Sequence, residues 1–386
     1  MATKVDPQIS QRVRELGAGD LNQCYHCGTC TAICPLSEGD ASFPRRVLRN
    51  IQLGLGDRLV ASPEPWLCYY CGECSDSCPQ KADPGETMAA ARRYLISKYD
   101  PSGLAGLMYR SPAFLVFFTL LLGALLAFFH LSIHVGKHAA GEAPFPSHWA
   151  AFAWIPYETI HLVGLAVGGL MILVVFAGLF NAARLMLKAH GGFAALRRYK
   201  VADYRRATMQ LAHEIATMKR QGDCESDPPS SEPWYVQPRF THGTILAGFV
   251  MLLIATTLDF FFVFGLKMQF YAVARPLGIA GGLVMLYGLL VYAWKRMRRA
   301  TANTKTTTPA DIWLLFFLIV LDVTGFALLV ITAAGWKGVA SDVILLVHSV
   351  MAMEFVLMFT LTKIAHALYR PLALFLHFLN APKAGT

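Results

Sequence analysis

From Pro112 onward the chain alternates long apolar runs with short polar segments. The runs fall at about 112–131, 158–184, 240–266, 276–294, 312–334 and 342–367, and each is long enough and sufficiently free of charge to cross a hydrocarbon layer as a helix. Residues 1–110 are patterned differently. There Val47, Leu48 and Ile51 recur at helical spacing within polar sequence, Pro44 suits a first helical turn, and the stretch from Glu86 to Tyr99 also reads as helical. The pattern predicts an all-α protein, with a helical domain over 1–110 fused to a six-span transmembrane bundle over 111–386.

The last run carries His348 and His366, eighteen positions apart. At about 100° per residue, eighteen steps close five whole turns, so one continuous helix would aim both imidazoles the same way, about 27 Å apart. That approaches the ~30 Å hydrocarbon thickness of a bilayer. Such a helix offers one nitrogen ligand near each membrane face, as a pair of stacked b-type haems requires, with Ala352, Phe355, Phe359 and Thr362 between them.

Each histidine then needs a partner at its own depth, which depends on orientation. The loops after the second and fourth spans hold fourteen Lys or Arg between them, against four in the three loops on the other side. The former are therefore expected to face the cytoplasm, together with the N-terminal domain. In that orientation His161 lies near the outer end of span two and His242 near the inner end of span three, giving the pairs His161 with His348 and His242 with His366. Gly164 and Gly168 lie on about the same side of span two as His161, where a porphyrin or helix could come close. His130 and His134 compete for the outer ligand role and are read as interfacial or quinone-proximal. His134 and Glu158 are the first guess for a quinone pocket. Three acids lie within the spans, Asp259, Asp322 and Glu354, and suggest proton translocation. Glu354, however, sits about 240° round the helix from His348, and internally hydrogen-bonded acids are the expectation for all three.

Composition sharpens this division. A 386-residue chain that is 55% hydrophobic is too apolar for a soluble protein. The N-terminal stretch has neither the basic flank nor the apolar core of a signal peptide, so the first domain is expected to stay in the cytoplasm of a prokaryotic cell, beneath its plasma membrane. The net charge of +9 sits beside the spans, which removes the argument for nucleic-acid binding.

Eight of the nine cysteines lie in the first 110 residues, where a reducing compartment favours metal ligation over disulfides. They form two matching blocks, Cys24-Tyr-His-Cys27-Gly-Thr-Cys30-Thr-Ala-Ile-Cys34-Pro35 and Cys68-Tyr-Tyr-Cys71-Gly-Glu-Cys74-Ser-Asp-Ser-Cys78-Pro79. The run C-x2-C-x2-C-x3-C-P holds a pair of [4Fe-4S] clusters: three cysteines wrap one cubane and the fourth reaches its neighbour. Cys24, Cys27, Cys30 and Cys78 are thus assigned to one cluster, and Cys68, Cys71, Cys74 and Cys34 to the other. A zinc site would use separated C-x2-C pairs instead. Cys224 reads as a plain thiol. In the loop 188–239, Met209, Ala212, Ile215 and Met218 mark a helical face suited to lipid or a partner.

The two cysteine blocks resemble the C subunit of heterodisulfide reductase. The histidine-bearing spans resemble the haem-b subunit of respiratory nitrate reductase and the E subunit of heterodisulfide reductase, departing in that His161 and His242 lie on different spans. A single chain joining the two is similar to the C subunit of the quinone-interacting membrane-bound oxidoreductase (Qmo) family. The resemblance implies two [4Fe-4S] clusters, haem b, menaquinone as substrate, flavin and iron-sulfur partner subunits, and adenylylsulfate reductase as an indirect partner. Together these features point to a membrane electron conduit. The rivals are a heterodisulfide or sulfite reductase-linked equivalent, a non-catalytic anchor for an iron-sulfur protein, and a redox-sensing transporter, for which no discontinuous-helix signature is seen.

Overall fold

The computed structural model describes residues 4–37, 42–139, 157–225, 232–266, 271–299, 302–336 and 338–380, and every regular element among them is helical. In the N-terminal part the main helices are α1 (Gln8–Glu15), α2 (Arg45–Gln52), α3 (Pro84–Tyr99) and α4 (Leu104–Arg110). Val47, Leu48 and Ile51 of α2 are fully buried, as an amphipathic stripe requires. Asp83 starts α3 by accepting from the Glu86 amide at 3.0 Å, and Pro84 takes the first turn.

Ser111 separates α4 from α5 (Pro112–Ala139), the first of six helices long and apolar enough to cross a membrane. The others are α6 (Tyr157–Lys188), α8 (Pro238–Leu258), α9 (Tyr271–Arg298), α10 (Pro309–Ala334) and α11 (Val339–Leu357), while α7 (Val201–Thr217) lies in the loop between α6 and α8. Exposed Phe117, Leu120, Leu173 and Phe176 project outward, where lipid supplies their neighbours. Helices α8 and α9 meet backbone to backbone. A Cβ added at Gly248 would lie 2.5 Å from the Gly281 carbonyl oxygen, so glycine is what permits the approach.

The sixth span differs from the expected 342–367. It ends at Leu357, and after a turn and a 3-10 segment, Lys363–Ala365, a new helix α12 (His366–Asn380) begins. His348 and His366 therefore do not share one helix, and the five-turn argument does not apply to them. The break has local and distant causes. The Thr362 side chain donates to the Met358 carbonyl at 3.1 Å, competing with helical pairing, and its own backbone is extended. Beyond it, Lys363 pairs with Asp311 at the start of α10.

Asp311 is buried and also meets Arg296 at 3.5 Å and Arg93 of α3 at 3.9 Å. It accepts from the Thr308 amide at 3.0 Å as well, so one carboxylate ties α3, α9, α10 and the break together. The N-terminal helices and the neighbouring ends of the spans accordingly share one core. Tyr369 of α12, fully buried, packs against Trp66 and Tyr99 with ring centroids 5.9 and 5.2 Å away. Asn181 of α6 donates to the Tyr99 carbonyl at 2.9 Å.

Candidate cofactor-binding sites

The two cysteine blocks repeat each other in backbone as well as in sequence. His26 and Tyr70 stand at φ 59° and 60°, and Gly28 and Gly72 at 94° and 102°. A left-handed residue on either side of Cys27 and of Cys71 curls each loop, turning amide hydrogens inward as in an anion-binding nest. Short helical turns, Thr29–Ala32 and Glu73–Asp76, then set Cys30 and Cys74.

The two blocks lie side by side. Cys78 lies near enough for its charge to act on Cys24 and Cys30, while Cys34 is influenced by Cys68, Cys71 and Cys30, and Cys74 by Cys68, Cys71, Cys34 and Cys30. Cys34, Cys68, Cys71 and Cys74 line one small pocket together. Among the described residues no three His, Cys, Asp or Glu side chains close tightly enough on one point for a single ion. The donor set itself, three cysteines two residues apart and a fourth before proline in each block, is the one that [4Fe-4S] clusters take. Burial pushes the Cys34 thiol up to about 12 and raises Cys24, Cys30, Cys68 and Cys74. Iron must displace protons from these sulfurs to bind. Cys27, exposed, is shifted downward by its hydrogen bond to Thr29.

The structure brings His242 and His366 face to face, at the start of α8 and the start of α12. Their ring centroids are 6.2 Å apart and inclined by 40°. Ring centres at that separation leave room for one metal between the two imidazoles at bonds of about 2 Å. His366 Nδ1 lies 2.8 Å from the Lys363 carbonyl. A carbonyl can only accept, so Nδ1 carries the proton and Nε2 keeps its lone pair, the arrangement usual in metal-ligating histidines.

For the outer pair the contacts run elsewhere. A Cβ placed on Gly164 would lie 3.5 Å from Met353 Cε, so α6 packs on α11 below these histidines. His161, however, stacks on Phe260 at 5.8 Å, where α8 continues into a π-helical segment, Asp259–Gly265. His348 Nδ1 meets Thr324 Oγ1 at 3.0 Å. That hydroxyl is 2.8 Å from the Val320 carbonyl and donates to it, which leaves it accepting from Nδ1 and frees His348 Nε2.

His130 packs inside the bundle. It is fully buried, its Nδ1 bonds the Leu126 carbonyl at 2.8 Å, and among the described residues its Nε2 has no partner. The side chains of His134, Glu158 and Cys224 lie outside the described residues. Nor are all three intramembrane acids internally bonded: Asp322 Oδ2 and Glu354 Oε1 are buried without a hydrogen-bond partner among the described residues. A Cβ at Gly168 would meet nothing within 4 Å.

Helix α12 and Arg370 on it were not anticipated, although Tyr369, Ala373 and Leu376 carry a helical period. In α7 the face turned inward is distinct from the apolar face read as suited to lipid or a partner. Asp203, Ala207 and Glu214 turn inward, and Met209 and Ile215 stay exposed.

Residues 147–385, more than half of the chain, match the family described as citrate utilization protein B, and residues 23–83 match a 4Fe-4S dicluster domain. The N-terminal region is 36% identical over 104 residues to a protein of Archaeoglobus profundus described as like the C subunit of heterodisulfide reductase, covering 27% of this chain and 55% of that one. It is 31% identical over 63 residues to the C subunit of the H(2):CoB-CoM heterodisulfide,ferredoxin reductase of Methanothermobacter thermautotrophicus, covering 16% of this chain and 34% of the other. Over 44 residues it is 43% identical to the iron-sulfur C subunit of the CoB--CoM heterodisulfide reductase of Methanopyrus kandleri, covering 11% and 23%. The chain thus spans about half the length of the first of these curated relatives and less of the others. No solved structure matches.

Proposed function

We propose that this chain, which belongs to the citrate utilization protein B family, is the membrane subunit of a quinone-linked oxidoreductase, passing electrons between menaquinone, haem b and two [4Fe-4S] clusters. The observation that carries this reading is the facing of His242 and His366 at 6.2 Å on the side of the bundle against which the cysteine domain packs. Iron-sulfur and haem groups supply the one-electron chemistry. The chain's own part is to hold them close, keep water out and fix the ligand nitrogens.

In this reading His242 and His366 ligate an inner haem, and His161 and His348 an outer one, with the unpartnered Nε2 of His130 as a rival outer ligand. Cys24, Cys27, Cys30 and Cys78 hold one cluster, and Cys68, Cys71, Cys74 and Cys34 the other. The domains divide at about residue 110. The N-terminal domain faces the cytoplasm of a prokaryotic plasma membrane, where the basic loops also lie. Flavin and iron-sulfur subunits would meet it there. The likeness to heterodisulfide reductase C subunits supports such a complex, and a Qmo-type role would lead onward to adenylylsulfate reductase.

A second reading takes its support from the family's name, which ties it to citrate utilization: electrons would run from a soluble organic-acid dehydrogenase toward quinone. The subunits that co-purify with the chain separate the two.

The test is the reduced spectrum of the purified protein with menaquinol. Wild type should show a b-type band that quinol reduces, and His366→Ala should lose the inner haem while keeping both clusters. Absence of the band in wild type, or full haem content in the variant, sinks the assignment.

A further inference from the structure

One helical turn after His366, the Arg370 side chain turns toward the cysteine domain. Its Nη1 donates to the Cys68 carbonyl at 3.2 Å and its Nη2 to the Leu67 carbonyl at 3.4 Å. The guanidinium lies 3.6 Å from the centre of the Tyr69 ring. Tyr69 in turn donates its hydroxyl to Glu214, buried on α7. Arg370 is close enough to Cys68 on one side, and to His242 and His366 on the other, for its charge to act on all three. The first block has a different setting: Tyr25 is 76% exposed and Cys27 is open to solvent.

We propose that the cluster held by Cys68, Cys71, Cys74 and Cys34 exchanges electrons directly with the His242–His366 site, and that Arg370 is the positioning residue that couples them. The proposal rests on the haem reading above. With a haem held by His242 and His366, the step would be a one-electron exchange between its iron and the cluster, one side losing the electron that the other gains and no bond breaking. The cluster of Cys24, Cys27, Cys30 and Cys78 is then the outlet toward solvent. Arg370 acts in two ways. Its paired carbonyl bonds hold the Leu67–Cys68 loop against α12, and its positive charge favours the more negative, reduced cluster, raising the reduction potential. Arg92, whose charge also acts on Cys68, adds in the same direction.

The full-length protein in detergent, carrying its cofactors, is titrated by electron paramagnetic resonance as wild type, Arg370→Gln and Arg370→Lys. Arg370→Gln is expected to lower the potential of one cluster, leave the other where it was, and slow haem-to-cluster transfer about tenfold. The shifted cluster should be the one whose relaxation is speeded by oxidised haem, and His366→Ala should abolish that enhancement. Arg370→Lys keeps the charge without the paired carbonyl bonds, so its potentials should stay near wild type while transfer is still slowed. If Arg370→Gln fails to accumulate, wild-type transfer rates in Arg370→Lys overturn the proposal. So does Arg370→Gln with both potentials unmoved, or with the solvent-side cluster shifted instead. The cluster titration reads out with or without haem, so a protein that binds clusters but no haem refutes the haem assignment separately.

Discussion

His348, proposed above as ligand of an outer haem, shows how much of such a ligand's behaviour would be set by the residue behind it. Thr324 spends its own proton on the Val320 carbonyl and accepts from Nδ1, so the ring is held in one tautomer with Nε2 free. Outer partners of this kind are commonly worth about 10- to 100-fold in metal affinity. Thr324→Val should weaken retention of the outer haem by about that range, and Thr324→Ser should restore it, as read by haem content after dilution or competition with apomyoglobin. Equal retention in all three proteins would remove Thr324 from the site. The histidine itself stands out in the sequence because it is ionisable and sits within an apolar run. Thr324 does not, since a threonine 24 residues away has no marked spacing to it and only the packing of α10 on α11 brings them together.

Among the elements, the pairing of α8 with α9 and the break after α11 are decided by different things. At Gly248 an added methyl would come within 2.5 Å of the Gly281 carbonyl oxygen and 2.6 Å of the Met285 amide nitrogen, backbone atoms that cannot swing aside. Gly248→Ala should therefore cost about 1–3 kcal/mol, as overpacking does, and lower the thermal midpoint in detergent. Gly168→Ala, with open space around it, should leave the midpoint of the cofactor-free protein near wild type. The apolar runs made the spans legible to within a few residues, except at the end of the sixth. Its interruption depends on Lys363 reaching Asp311, 52 positions earlier in the chain. A hydropathy pattern averages over neighbours along the chain and cannot register such a partner.

At the level of the whole molecule, the cysteine domain and the bundle are bound by a common core rather than by a tether. Trp66, Tyr99 and Tyr369 form its aromatic centre, contributed from both sides. Trp66→Ala should cost about 3–5 kcal/mol, the usual range for removing a buried aromatic ring. Limited proteolysis of membranes should then release the N-terminal domain more readily than from wild type, and unchanged protection would contradict this account of the interface. The sequence by itself determined the helical class, the six runs, the two cysteine blocks and the candidate histidines, because period, run length and ligand spacing are properties of neighbouring residues. Only the tertiary structure decided that the helix between His348 and His366 is broken, that His130 is buried, and that Arg370 joins the Cys68 loop to α12. Those outcomes depend on which helix ends meet and which buried charges must find partners, and both are settled by packing between residues far apart in the chain.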